Sequence, residues 1–167
     1  MHSISEAEIR GSFVNCSRGE ASRIKLPIDF RDVPWADLDF FGWIDPSAPL
    51  RAAIVVSGDD GVRSVMLRKA QQVAGSAMRS GMCQVCLTSH AASGVSLFTA
   101  ARAGASGRKG NSVGEYICSD LACSLYLRGK RQPKLRLVRF NETLTLDEKV
   151  ERAKGRLSGF TQRVLAA

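Results

Sequence analysis

The hydrophobic pattern changes period along the chain, and each change predicts a different element. Residues 51–57, Arg-Ala-Ala-Ile-Val-Val-Ser, form an apolar run too short for a helix of ordinary length and rich in β-branched side chains, which predicts a buried strand. Gly58-Asp59-Asp60-Gly61 reads as a tight turn and residues 62–67 as the returning strand, giving one hairpin. Residues 95–101 and 113–117 predict two more strands. Residues 134–140 alternate basic and apolar side chains, as in a half-exposed strand. The tail is helical in period. Val150, Ala153, Leu157, Phe160 and Val164 recur every three or four residues, and Thr145 with Glu148 three later forms a capping box.

The first 79 residues predict less regular structure. Ser5 with Glu6 and Glu8 predicts a short capped helix. Pro27, Pro34, Pro46 and Pro49, interleaved with Phe30, Trp35, Phe40, Phe41 and Trp43, exclude a long helix and supply aromatics for a small β core, Trp43 among them. Residues 68–79 read as a linking helix. Residues 102–111, rich in Gly, Ser and basic side chains, read as a loop. A helix is expected from Ser119-Asp120 to about Lys130, with Pro133 preventing much continuation. The resulting expectation is an α+β chain. A β-rich N-terminal module with a linking helix occupies residues 1–79, and a second module with a C-terminal amphipathic helix occupies residues 80–167.

Composition adds constraints. The longest apolar runs fall far short of the ~18 residues a membrane span requires, and the acid-bearing start Met1-His2-Ser3-Ile4-Ser5-Glu6 is unlike a secretory leader. A cytoplasmic location is expected, where thiols stay reduced. The formal charge of +8 is uneven: residues 1–75 carry 9 basic and 10 acidic side chains, and residues 76–167 carry 15 and 6. A basic half of this kind suits an acidic partner, either a protein face or RNA.

The cysteines carry the strongest chemical signal. Four of the five fall into two close pairs, Cys83-Gln84-Val85-Cys86 and Cys118-Ser119-Asp120-Leu121-Ala122-Cys123, with 31 residues between the pairs. A soft divalent cation takes four thiolates at the corners of a tetrahedron, most easily supplied as two short clips. One structural Zn²⁺ on Cys83, Cys86, Cys118 and Cys123 is the expectation, closed by four protein ligands with no position left for water or substrate. A redox pair at Cys83 and Cys86, an iron–sulfur cluster and His90 as a substitute ligand are the competing readings. Cys16 is the odd cysteine, expected to be a buried or half-buried thiol without a task. No His-x-Glu precedes the first pair, so a zinc deaminase is excluded, and residues 104–109 lack the Gly-Lys-Ser/Thr ending of a phosphate-binding loop. With no activated nucleophile and no open metal position, no enzyme is expected.

Clip, strand hairpin, clip and helix, in that order, resemble a treble-clef zinc finger. The stretches Cys83–Cys86, Ala103-Gly104-Ala105-Ser106-Gly107-Arg108-Lys109-Gly110-Asn111-Ser112-Val113-Gly114 and Tyr116-Ile117-Cys118-Ser119-Asp120-Leu121-Ala122-Cys123-Ser124-Leu125-Tyr126-Leu127-Arg128-Gly129-Lys130 resemble the C-terminal treble-clef zinc-finger domain of the FBP family, across about residues 80–165. These are the elongation factor G-binding proteins, FusB-type members included. The resemblance implies a zinc-containing, non-enzymatic protein that docks on elongation factor G and promotes its release from the ribosome. It places the four ligands on Cys83, Cys86, Cys118 and Cys123. It puts the partner face near Arg102, Arg108, Lys109, Tyr126, Arg128, Lys130 and Arg131. Ribosomal RNA is the alternative partner. The β-rich first half departs from the helical N-terminal domain of FusB-type members.

Overall fold

A computed structural model describes residues 1–58, 60–71, 81–133 and 142–166. Its centre is an antiparallel five-stranded sheet. Strands β1 (Phe40–Ile44), β2 (Arg51–Gly58) and β3 (Gly61–Lys69) form a meander. A two-residue pair, β4 (Gly81–Met82) with β5 (Ser89–His90), stands apart from the main sheet. Then β6 (Val95–Ala101) and β7 (Ser112–Cys118) complete it in the order β1-β2-β3-β6-β7. The turn at Gly58↔Gly61 needs its glycine, because Gly61 has φ +93°, a backbone region that L side chains rarely adopt.

The apolar run in β2 is continuous because both faces of the sheet are covered. Phe40, Ala52, Ile54, Val65 and Leu67 belong to one core cluster, and Phe41, Trp43, Ala53 and Val55 to another. Alternate side chains along each strand therefore serve opposite faces. The second cluster is closed by the N-terminal segment. Two short helices, α1 (Glu6–Gly11) and α2 (Arg18–Arg23), each begin with a capping box, Ser5 with Glu8 and Ser17 with Glu20. Ile4, Ile9 and Ile24 fill this side, beside a packed group of Phe30, Trp35, Phe41 and Trp43 whose neighbouring rings lie 5.0–5.9 Å apart. Trp43 is buried and its Nε1–H donates to the Lys25 carbonyl at 2.9 Å. The α2 helix was absent from the sequence expectation, although Ser17 and Glu20 stand at capping-box spacing.

The first cluster is closed by a short helix α4 (Cys123–Leu127) and the long C-terminal helix α5 (Leu146–Leu165), while a short helix α3 (Gly104–Arg108) lies outside it. The five stripe residues predicted for the tail are all buried, and the Thr145–Glu148 box is formed. The segment expected as a loop contains α3. Gly107 sits so close to the Arg102 carbonyl that a Cβ would lie 1.8 Å from it, so this glycine serves close packing rather than looseness. The helix expected from Ser119 begins only at Cys123. Leu121 has φ +58° and breaks the α path before it, and Gly129, with φ +67°, ends the segment. Of the expected linking helix, Arg68 and Lys69 are the end of β3, and residues 72–80 lie outside the described residues, as does the strand expected at 134–140.

The sheet runs across residue 79. The β3–β6 pairing, Arg68↔Thr99 and Lys69↔Phe98, joins strands from either side, and one core cluster holds Phe40 and Ala52 together with Phe160 and Val164. No described helix is long and apolar enough to cross a membrane.

One buried carboxylate orders the turn between β1 and β2. Asp45 is fully buried and accepts from Ser47 N (2.8 Å), Ser47 Oγ (2.7 Å), Lys25 N (3.1 Å) and Arg51 Nε (2.7 Å). Burial alone would raise its pKa, but hydrogen bonds from Ser47, Lys25 and Arg51 outweigh it and hold the carboxyl below its ordinary value.

Two outcomes are expected. Phe160→Ala removes a fully buried ring and lowers stability by about 3–5 kcal/mol. In urea, the fluorescence of Trp35 and Trp43 and helical circular dichroism then shift together; separate transitions count against a shared core. For Asp45, a depressed folded pKa means stability present above the unfolded carboxyl pKa and lost as pH falls through the folded one. Asp45→Asn is therefore less stable than the parent at neutral pH, and thermal melts show the gap closing below about pH 4.

Candidate metal centre

The first cysteine clip is a knuckle at the tip of the β4–β5 pair. Cys83 N donates to Thr88 O (3.0 Å), Leu87 N to Cys83 O (2.9 Å), and Cys86 N points at Cys83 Sγ (3.5 Å). Closing so tight a turn puts Leu87 at φ +56°, a left-handed conformation usually left to glycine or asparagine. The second clip joins the end of β7 to the start of α4: Cys118 is the last residue of the strand and Cys123 the first of the helix. Between them Leu121, also left-handed, donates its N–H to Cys118 O at 2.8 Å and is buried against Gly42, where an added Cβ would meet Leu121 Cβ at 2.7 Å. One leucine just after the first clip and one within the second thus sit in a costly backbone region, on the order of 1–3 kcal/mol apiece.

The knuckle is tied to the sheet through its intervening residues. Gln84 N donates to Tyr116 O (2.8 Å), and Tyr116 N donates to Gln84 Oε1 (2.9 Å). This reciprocal pair holds the first clip beside the strand that delivers the second.

The four sulfurs meet in the interior. All four cysteines are at most 3% exposed, and their Sγ atoms lie within 4.8 Å of one another. Cys83 and Cys123 are 3.7 Å apart and Cys86 and Cys118 are 3.5 Å apart. Bonds of about 2.3 Å to a central ion give tetrahedral edges of about 3.8 Å. A disulfide needs about 2.05 Å, and all five cysteines are free thiols. The donor set and its spacing therefore fit a soft tetrahedral cation. Hydrogen bonds from Cys118, Cys123 and Cys86 hold the Cys83 thiol far below its usual range, whereas burial, then the neighbouring thiols, push Cys123 up. Cys83 gives up its proton readily, whereas Cys123 needs a cation to do so.

His90 stands outside the mutually close set. Its Nε2 lies 3.2 Å from Cys118 Sγ, it is 3% exposed, and its ring meets Tyr126 edge-on at 4.7 Å between centroids. Cys16 is half-buried, as expected, with its thiol pushed up to about 11 by burial and by Glu20.

The basic side chains expected to face a partner divide into two groups. Arg128 is engaged bidentately by Asp39 (2.6 and 2.8 Å), Lys130 by Asp37 (2.6 Å) and Arg131 by Asp120 (3.3 Å). Tyr126 donates its hydroxyl to Asp120 Oδ2 at 2.8 Å. These four are bound internally, in contacts that tie α4 to the segment before β1 or to the second clip. Arg102 donates to the Ala166 carbonyl at 3.3 Å. Arg108 and Lys109, at the end of α3, are exposed and make no ion pair among the described residues. The acids Asp37, Asp39 and Asp120 carried no signal of their own in the sequence, since Asp39 and Arg128 are 89 positions apart.

The chain matches the FBP C-terminal treble-clef zinc-finger family over residues 8–164. That span goes well beyond the stretch from about 80 to 165 on which the resemblance was read, and takes in β1, β2 and β3. No individual curated protein and no solved structure matches the chain. Family and geometry together make the four-cysteine cluster the seat of one structural zinc ion, held by Cys83, Cys86, Cys118 and Cys123.

Elemental analysis of the native protein is expected to give one zinc per chain. Cys118→Ser loses it and lowers the thermal midpoint by roughly 10 °C or more, since several kcal/mol of ligation vanish and a chain of this size shifts about 2–4 °C per kcal/mol. An unchanged midpoint together with retained zinc in that variant rules the ligand set out.

Proposed function

Because the chain belongs to the FBP C-terminal treble-clef zinc-finger family, we propose that it is a non-enzymatic docking protein whose partner is elongation factor G, and that docking promotes release of the factor from the ribosome. A cytoplasmic location goes with this reading. Two features support it. The metal centre has four protein ligands, all buried, so the ion serves as a rivet and not as a Lewis acid open to substrate. The observation that carries the docking surface is the pair of exposed cations Arg108 and Lys109 at the end of α3, which make no ion pair among the described residues. Arg128, Lys130 and Arg131 already have carboxylate partners within the chain. Encounter with an acidic protein face therefore falls to the α3 arm, with Arg102 at its base. Charge of this kind accelerates association more than it prolongs the complex.

Purified elongation factor G is expected to be retained at low salt and released as salt rises. Reversing both charges, Arg108→Glu with Lys109→Glu, weakens binding by about tenfold, chiefly in the association rate. Zinc content stays at one per chain. A ribosomal RNA fragment bound more tightly than the factor, with affinity falling about 0.7–0.9 log units per log unit of salt for each phosphate contact, overturns the proposal in favour of RNA.

A further inference from the structure

We propose that His90 is a positioning residue of the metal centre, donating its Nε2–H to the Cys118 thiolate from outside the sulfur tetrahedron and thereby slowing loss of the ion. The inference rests on zinc at the four cysteines, not on the docking partner.

The geometry leaves the ring little freedom. His90 belongs to β5 and pairs with Gly81, which fixes its backbone. Gly94 lies against it so closely that an added Cβ would be 2.3 Å from His90 Cβ and 2.8 Å from Nδ1. Tyr126 meets the imidazole at an interplanar angle of 87°, the edge-to-face arrangement that aromatic pairs favour. Tyr126 is in turn held by Asp120, which also accepts the Ala122 N–H at 3.1 Å and pairs with Arg131. A chain of contacts thus runs from Arg131 at the surface through Asp120 and Tyr126 to His90, and ends on Cys118 Sγ at 3.2 Å.

The chemistry fixes the direction of that last bond. A sulfur bound to zinc is a thiolate and only accepts, so the nitrogen facing it carries the proton. Four thiolates around a dication leave a net charge of about −2 by simple counting. The cations flanking α4 are turned towards Asp37, Asp39 and Asp120. Relief of charge at the sulfurs therefore falls to nearby donors. Cys83 has the Cys86 N–H at 3.5 Å, and Cys118 has His90 Nε2 at 3.2 Å. A sulfur whose lone pair is already engaged by an N–H is less readily protonated, and protonation is what frees it from the ion.

The test begins with metal content of the wild-type chain, which decides the centre itself. In the zinc-loaded protein, nitrogen-15 NMR is expected to show His90 with its proton on Nε2 and slow exchange, and the cadmium-loaded protein is expected to show a coupling between that proton and the metal. Chelator-driven zinc release is expected to be about 10–100-fold faster in His90→Phe, which keeps a ring but no donor, the usual cost of removing a group that supports a ligand. His90→Gln, whose amide can donate, restores most of the difference. A proton on Nδ1 alone, direct metal coordination by Nε2, or release from His90→Phe at the wild-type rate overturns the proposal. Should His90→Phe fail to fold, the wild-type NMR result decides.

Discussion

A tetrahedral ion tolerates little error in the placement of its sulfurs, and here that placement is set by the register of an edge strand. Val95 pairs with Cys118 at one end of the β6–β7 ladder and Ala101 with Ser112 at the other. A slip of one residue would carry Cys118 to the opposite face of the sheet. Gln84 bonds to both backbone polar groups of Tyr116, two positions before Cys118, so the knuckle is aligned by the strand that delivers the third sulfur. The fourth follows after a turn that closes only with Leu121 left-handed and Gly42 beneath it. Metal binding and sheet registration are in this sense one event.

The same coupling accounts for the backbone strain. Leu87 and Leu121 occupy conformations that leucine seldom adopts, one just after the first clip and one within the second. Neither would persist without a surrounding structure that over-determines it. Burial of Leu121 and ligation of the adjacent sulfurs supply that determination.

Charge is distributed differently from what a count of basic residues implies. Much of the excess near α4 is consumed inside the molecule. The Arg128–Asp39 pair is two-pronged and largely shielded, with side-chain exposures of 19% and 6%, so it is stronger than an ordinary surface pair. Together with Lys130–Asp37 it fastens the segment ahead of β1 to the helix that begins at Cys123. The structure gives these residues a cohesive role, and leaves Arg108 and Lys109 as the exposed cations of α3.

Features that depend on neighbours in the chain were legible from the sequence. The Thr145–Glu148 box, the stripe from Val150 to Val164, the Gly58–Gly61 turn and the spacing of the four cysteines each act over a few residues, and a few residues suffice to read them. The extent of α3, the truncation of α4, the pairing of β3 with β6 and the carboxylate partners of Arg128 and Lys130 were not legible. The last two depend on groups tens of positions away, and which faces meet is decided only when the layers close over the sheet. The sequence determined that four thiolates of the right kind exist in two clips. Tertiary structure decided that they converge, that His90 lies against one of them, and which arginines are spent within the fold, because distance in space is fixed by packing and not by order along the chain.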